Sequence, residues 1–475
     1  MTEINEASSL WLHAWYDPLA SLKTLTPLVR MGDLSSDGDM KLVVCDIERK
    51  TMKVYKGTNL LLVNQLLDTP AACCVIYADN RTPRIASIAV AAGRHVFIYR
   101  QLRPYKKWIC PPVQISEEEQ EIWDKLRSST IEPDEGNDEL KKLRGKGIRL
   151  SMRSIKFINI QGGIEEQTKF INELEDTKIV EETNLTCMEV LKKDSDEADA
   201  IGHLVVGTED KQVYILPPDP SQSMILCKID LPAVPVSFTV TGYFDVEWRV
   251  MVSCRDGNIY CIKNGDARGT AIRTGTVIEP GGQPVAMIAQ DRSLWVATTN
   301  KSIMQYTLRG KKALGIRLDK DVSDISILHV RRAKVSTCLL VALLNGEIRL
   351  YKDNLMINSM QVDGPIHAMR FGQYGREDNT LILVHGQTGC MSVKILKRTA
   401  DIEHRSSYGG PEEQDVPIPI PKMSKLYVEQ AQYEREHAPE MHRMFQRDLC
   451  KLRLETARAY VKTLTDGHIV SIICM

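Results

Sequence analysis

An apolar run, a turn and a short strand of alternating apolar and polar residues recur seven times along this chain. Taking the first inward residue of the alternating strand as an anchor, the copies fall at Met52, Val96, Val213, Ile259, Ile303, Ile348 and Met391. Successive anchors are 44, 117, 46, 44, 45 and 43 residues apart. A period near 45 residues built from strands is that of a β-propeller blade, a four-stranded sheet that cannot bury its faces alone and must stack in a ring. The interval of 117 holds one period plus about 72 further residues, so one blade boundary carries an insertion. The pattern predicts an all-β fold: a seven-bladed β-propeller over residues 31–400, preceded by a lead-in over 1–30 and interrupted by a partly helical insertion over 111–180.

The units are clearest where the turn is tight. Arg249–Cys254, the turn Arg255-Asp-Gly-Asn258 and Ile259–Ile262 make one hairpin; Leu339–Ala342, Asn345-Gly346 and Ile348–Tyr351 make another, with Asn-Gly tolerating positive φ. The continuous apolar runs read as inner strands covered on both faces by neighbouring blades, and the alternating strands as half exposed. Strand ends carry Tyr-Lys or Tyr-Arg; the single Trp-Asp pair, Trp123-Asp124, lies outside the repeats, so the propeller is not of the WD40 type.

Between Tyr99 and Leu204 the period changes. Ser116 and Glu119 are spaced as a capping box ahead of Ile122, Trp123 and Leu126, and a second helical pattern runs through Ile164, Ile171 and Leu174. Ile131–Gly136 and Gly145–Gly147 read as loops. The insertion reads equally as a partner-binding arm or as a tolerated surface excursion. Beyond the last blade, the prolines of Pro411–Pro421 punctuate a linker over 401–424. A helical segment over 425–464 follows, with Met441, Met444, Phe445, Leu449 and Leu452 on one stripe and Pro439 suited to a first turn. From Pro439 to Leu464 that helix would be on the order of 40 Å long; its stripe could pack on its own domain, and docking on a helix of another subunit is the favoured expectation.

Charge is balanced, with 61 Lys and Arg against 62 Asp and Glu, which argues against a nucleic-acid partner held by a general basic surface. No apolar run approaches the roughly 18 residues of a membrane span. Met1–Ser9 is acidic and polar, unlike a secretory signal, so a cytosolic protein is expected. The twelve cysteines are scattered, several in apolar strands as Cys45, Cys254, Cys261, Cys338 and Cys390 are, and no C-x-x-C occurs. They read as buried small hydrophobes, and zinc is not expected.

The run Asp33-x-Ser35-x-Asp37-Gly38-Asp39 has oxygen-bearing residues at alternate positions, as calcium loops do. Lys41 stands where the next ligand would fall, and Val44 where a bidentate Glu would, so the run reads as an Asp- and Gly-rich turn and no metal is expected. No catalytic order of Ser, His and Asp, no H-E-x-x-H and no phosphate-cradling Gly motif occurs; His203, His367 and His385 lie in blade strands and read as structural. A non-enzymatic chain without cofactor is the expectation. A propeller enzyme with an axial site and a general peptide-binding scaffold remain the alternatives.

Longer strings identify a relative. Trp11-Leu-His-Ala-Trp-Tyr-Asp-Pro18, Leu102-Arg-Pro-Tyr105, Gly242-Tyr-Phe-Asp-Val-Glu247, Cys254-Arg-Asp-Gly-Asn-Ile-Tyr260, Leu344-Asn-Gly-Glu-Ile-Arg349, Phe371–Leu381, Val393–Ala400 and the helix from Met441 to Tyr460 resemble the Bardet-Biedl syndrome 1 family, over about residues 11–464. The resemblance implies a subunit of the BBSome, a coat-like complex that carries membrane proteins into and out of cilia. It implies a propeller that binds an Arf-like small GTPase in its GTP state, which recruits the complex to membrane. It further implies other BBSome subunits as partners, ciliary membrane proteins as cargo, indirect contact with the membrane, and residence in the cytoplasm, basal body or centrosome, and cilium. The tail 465–475 does not resemble the family and the family's C-terminal ear domain is missing, as a truncated or alternatively spliced product would have it.

The face that would take the GTPase follows from propeller topology. Turns joining the first to the second strand and the third to the fourth share one face of any propeller. If Ile366–Phe371 is the innermost strand of the last blade, Arg376, Glu377 and Asp378 emerge on that face with the Lys397-Arg398 turn, and Asp33, Asp37 and Asp39 of the first blade emerge there too. Mixed charges of this kind steer polar association.

Overall fold

The computed structural model describes residues 10–79, 84–113, 116–128, 130–146, 150–160, 163–173, 182–219, 225–265, 271–290, 292–331, 335–352, 354–400, 402 and 425–473. Residues 1–406 and 407–475 form two compact units. Within the first, twenty-eight strands among the described residues make seven antiparallel four-stranded sheets. Six sheets take their strands in chain order. The seventh runs Ile366–Tyr374, Glu377–His385, Met391–Leu396 from the axis outward and is completed at the rim by Trp11–Asp17 from the other end of the chain. The ring is therefore closed by sheet hydrogen bonds, with Trp11 opposite Leu396 and Asp17 opposite Met391.

The seven-bladed propeller is thus the architecture, and all seven anchors sit in the third strands of their blades. Burial explains why the repeat was visible. In Glu377–His385, Leu381 and Leu383 join a cluster shared with blade 6, whereas Ile382 and Val384 join one shared with blade 1. Lys41–Asp46 behaves likewise: Leu42 and Val44 face blade 7, Val43 and Cys45 face blade 2. Alternate residues of one strand pack against different blades, so apolar residues are needed at consecutive positions. These runs are the second strands, not the innermost. The innermost strands line the axis and are less covered, as in Pro284–Gln290, which is half-buried along most of its length. The third strands, expected half exposed, are largely buried, and exposure falls on the rim strands such as Asn59–Gln65.

Two corrections concern the ends of the ring. Trp11–Asp17, placed in a lead-in by sequence, is part of blade 7, and the innermost strand of blade 1 begins at Val29. Between them Thr26 ties three elements together: its hydroxyl donates to the Asp324 carboxylate of blade 6 and accepts from the Met369 amide of blade 7 at 3.2 Å. Asp324 is buried and also accepts from the Ile325 amide at 2.8 Å. Burial pushes its carboxyl up to about 7, against the pull of those hydrogen bonds. Between the ordinary carboxylate range and pH 7 the folded state then holds a proton that the unfolded state has released. Stability is expected to fall as pH rises through that window, by on the order of 1.4 kcal/mol per pH unit at most. Chemical denaturation of the wild type and of Asp324→Asn across pH 4.5–8 checks this: the variant should lack this component of the slope, and parallel profiles would refute it.

The insertion leaves the ring after Arg103–Ile109 and returns at Leu185–Lys192. It holds helices at Glu117–Arg127, Pro133–Gly145, Met152–Ile158 and Gly163–Glu173, packed around Trp123, Leu140 and Phe157. Of Ile131–Gly136, expected as a loop, only Ile131 and Glu132 precede the helix: Pro133 sits in its first turn, where its missing N–H costs nothing. Nor does the capping box form. Ser116 precedes the first helix without a side-chain cap, and Glu119 turns inward to accept from the Ser151 amide at 3.1 Å and from the Ser151 and Ser154 hydroxyls. Ser154 in turn accepts from the Trp123 indole at 2.8 Å. A fully buried carboxylate thereby joins the first helix to the third.

In the second unit, helices span Lys425–Glu436 and Ala438–Ile473. The second runs past Leu464, where sequence placed its end, since Thr465-Asp-Gly-His468 contains no proline to stop it. The linker expected over 401–424 lies outside the described residues apart from Ile402. No helix among the described residues is long and apolar enough to cross a membrane.

Candidate partner-binding face

The turns of blades 7 and 1 on the face of the first-to-second connections are joined to each other by backbone. Met40 and Gly375 exchange hydrogen bonds, N–H to C=O in both directions at 2.9 Å, so the turn after Ile366–Tyr374 and the loop after Val29–Gly32 form a two-blade ladder. The Tyr374 hydroxyl adds a bond to the Gly57 carbonyl in the outer turn of blade 1. Two loops separated by over 300 residues in sequence are one surface.

On the blade 1 side, Asp33 is spent on its own loop, accepting from the amides of Ser35, Asp37 and Gly38. Asp37 accepts from the buried Lys41 ammonium at 3.1 Å and from Lys56 at 3.2 Å, and Lys56 lies 3.3 Å from Asp39. Desolvation would raise the Asp37 carboxyl, but Lys41, the Asp39 amide and Lys56 outweigh it and hold the group below the usual range. The Lys41 ammonium thus serves as an internal cation for the Asp37–Asp39 end of the calcium-like run. Lys56 was not picked out from sequence, because its partners lie seventeen or more residues away and nothing local marks it.

On the blade 7 side, Arg376, Glu377 and Asp378 are exposed beside this loop. Arg398 reaches back to Glu377 at 3.8 Å, which places the Lys397-Arg398 turn next to them. The eight candidate residues therefore belong to turns of blades 7 and 1 on the same face, with Asp33 and Asp37 bonded within their own blade and Arg376, Asp378 and Arg398 exposed. In the second unit, Met441, Met444, Phe445 and Leu452 are exposed and Leu449 is half-buried.

His385 holds the Asp363 carbonyl and the Ser392 hydroxyl at 2.9 and 3.2 Å, but both side chains are buried. Ten of the described cysteines are buried, and burial pushes the Cys187 thiol up to about 12, which leaves it unreactive.

Comparison with known proteins gives this patch a context. A family model described as Ciliary BBSome complex subunit 1 matches residues 11–263. The BBSome complex member BBS1 of mouse and that of human are each 36% identical to this chain over 471 residues, which takes in 98% of the chain and 78% of each relative. A crystal structure of BBS1N in complex with ARL6DN, soaked with mercury, is similar with a TM-score of 0.66 and 32% identity, over 83% of this chain and 99% of that one. Identity at this level over nearly the whole chain, on the same propeller, establishes kinship: the chain belongs to the BBSome subunit 1 family.

Proposed function

We propose that this chain is a scaffold subunit of the BBSome whose propeller docks a GTP-bound Arf-like small GTPase on the joined loops of blades 7 and 1. The observation that carries the reading is the Met40–Gly375 ladder, which joins the turn bearing Arg376, Glu377 and Asp378 to the Asp33–Asp39 loop, with Arg398 reaching Glu377 from the neighbouring turn. A solved relative, BBS1N, was crystallised with ARL6DN, which supports a GTPase partner. A preordered mixed-charge patch suits a partner whose own switch loops are ordered only while the γ-phosphate is present. Recruitment through the GTPase would bring the complex to membrane indirectly, with ciliary membrane proteins as cargo and basal body and cilium as sites of action. The exposed Met441, Met444, Phe445 and Leu452, with Leu449, supply the apolar stripe by which other BBSome subunits would hold the chain.

Reversing Arg376 and Lys397 together to Glu is expected to weaken binding of the GTP-loaded GTPase at least about tenfold, through lost charge pairing on the patch. Titration calorimetry with GTP-loaded and GDP-loaded partner checks it. Unchanged affinity would remove this face from the interface, and equal binding of both nucleotide states would favour a general scaffold.

A further inference from the structure

Beyond blades 7 and 1, the same face of the ring carries a surface of different character over blades 4 to 6. Two clefts of about 530 and 700 Å³ lie between blades 5 and 6 and between blades 4 and 5, and Arg292 and Thr307 line both, so they form one groove. Among the described residues, its walls bear Arg249, Arg292, Arg309, Lys311 and Lys352, drawn from three blades, and one carboxylate, Glu247. Glu247 is already taken by Arg249 at 2.9 Å. Arg292, Arg309 and Lys311 are exposed and form no ion pair among the described residues.

The floor is built rather than incidental. Gln290 accepts from the buried Trp295 indole at 3.2 Å and donates to the Thr337 hydroxyl at 2.9 Å, which spans the boundary of blades 5 and 6. Trp248 is buried in the floor of the neighbouring cleft. Cations around a concave, partly apolar recess focus field on an anion there far more than the same charges on a convex surface would. Because the cations are spread along two clefts, one compact anion cannot meet them all. A flat bilayer cannot enter the clefts, and a long polyanion lying across this face would meet Asp37, Asp39 and Asp378 on its other side. Gln290, Gln305, Ser293 and Thr307 provide the donors and acceptors that an extended backbone needs.

We propose that the groove across blades 4 to 6 binds an extended acidic peptide segment of a partner protein, independently of the GTPase face. The test uses the full chain and fluorescence anisotropy with a labelled peptide alternating Glu with Gly and Tyr, beside its Gln-for-Glu counterpart. The acidic peptide should bind and weaken steeply with added salt. Arg292→Glu with Lys311→Glu should reduce its affinity at least about tenfold, as expected for reversed charge at a polar interface. Arg292→Gln with Lys311→Gln should reduce it in the same direction if the reversed pair fails to fold. Arg317→Glu with Lys320→Glu, exposed charges at the opposite end of blade 5, should leave it unchanged, as should Arg376→Glu with Lys397→Glu. Equal binding of the Gln peptide, or full affinity in both groove variants, would overturn the proposal. So would binding of phosphatidylserine vesicles that is lost in the groove variants while the peptide does not bind, which would make the groove a lipid site.

Discussion

A chain that starts at Ala20 is expected to lose the closure of its ring. The deleted strand Trp11–Asp17 is the rim of blade 7, and without it Met391–Leu396 becomes an open edge with unpaired backbone groups. Trp11 leaves with it, only 6% exposed and packed among Leu381, Leu396 and Phe371. Truncating such a Trp to Ala costs about 3–5 kcal/mol by itself, and loss of the strand adds the sheet bonds to that. The truncated chain should melt well below the parent, bind a hydrophobic dye and aggregate through its open blade, and a peptide spanning Trp11–Pro18 added in trans should recover part of the lost stability. Melting unchanged by the truncation would show that the first and last blades hold together without this strand.

The consequence reaches the partner face. The strand lies on the rim of the same blade whose inner turn pairs with Met40, and Lys397, directly after the strand it covers, donates its backbone N–H to the Leu10 carbonyl at 2.9 Å. The Lys397-Arg398 turn is thus anchored by the N-terminal segment. Closure and presentation of the patch are coupled, so mutations that loosen blade 7 should also weaken the GTPase binding proposed for this patch without touching it.

What could be read from the sequence follows from which residues face two neighbours. Second strands show as unbroken apolar runs because both faces are covered, and third strands carry a regular anchor because each contributes to an interblade cluster. Innermost and rim strands carry no such mark: Val29–Gly32 is four residues long, and Trp11–Asp17 exposes Leu12, His13 and Ala14. The helix at Pro133–Gly145 was hidden by a proline and a glycine that usually signal a loop. The candidate face was legible in outline, since strand order alone fixes which turns share it. Its joint was not, because Met40 and Gly375 meet through backbone atoms that leave no side-chain signature. The basic groove was illegible for another reason: its cations are spread over strand ends and turns of three blades between residues 249 and 352, and no local spacing links them.

Leu383→Arg is expected to be the most damaging single substitution considered for the ring. Leu383 is fully buried in the second strand of blade 7, paired with Met369 on one side and Ser392 on the other. Its side chain belongs to the cluster with Leu340, Leu350 and Ile366 that seals blade 7 against blade 6. A guanidinium there has no carboxylate partner in that cluster, and stranding an uncompensated buried charge costs about 3–5 kcal/mol before the lost packing is counted. The strand cannot turn the charge outward, because a one-residue slip would bring it against the equally apolar boundary with blade 1. Leu383→Met, which keeps the volume, should cost less than about 1.5 kcal/mol. Thermal melting of the purified variants distinguishes the outcomes: the Arg variant should unfold far below the parent or fail to accumulate in soluble form, and native-like melting would mean that this side chain does not face blade 6.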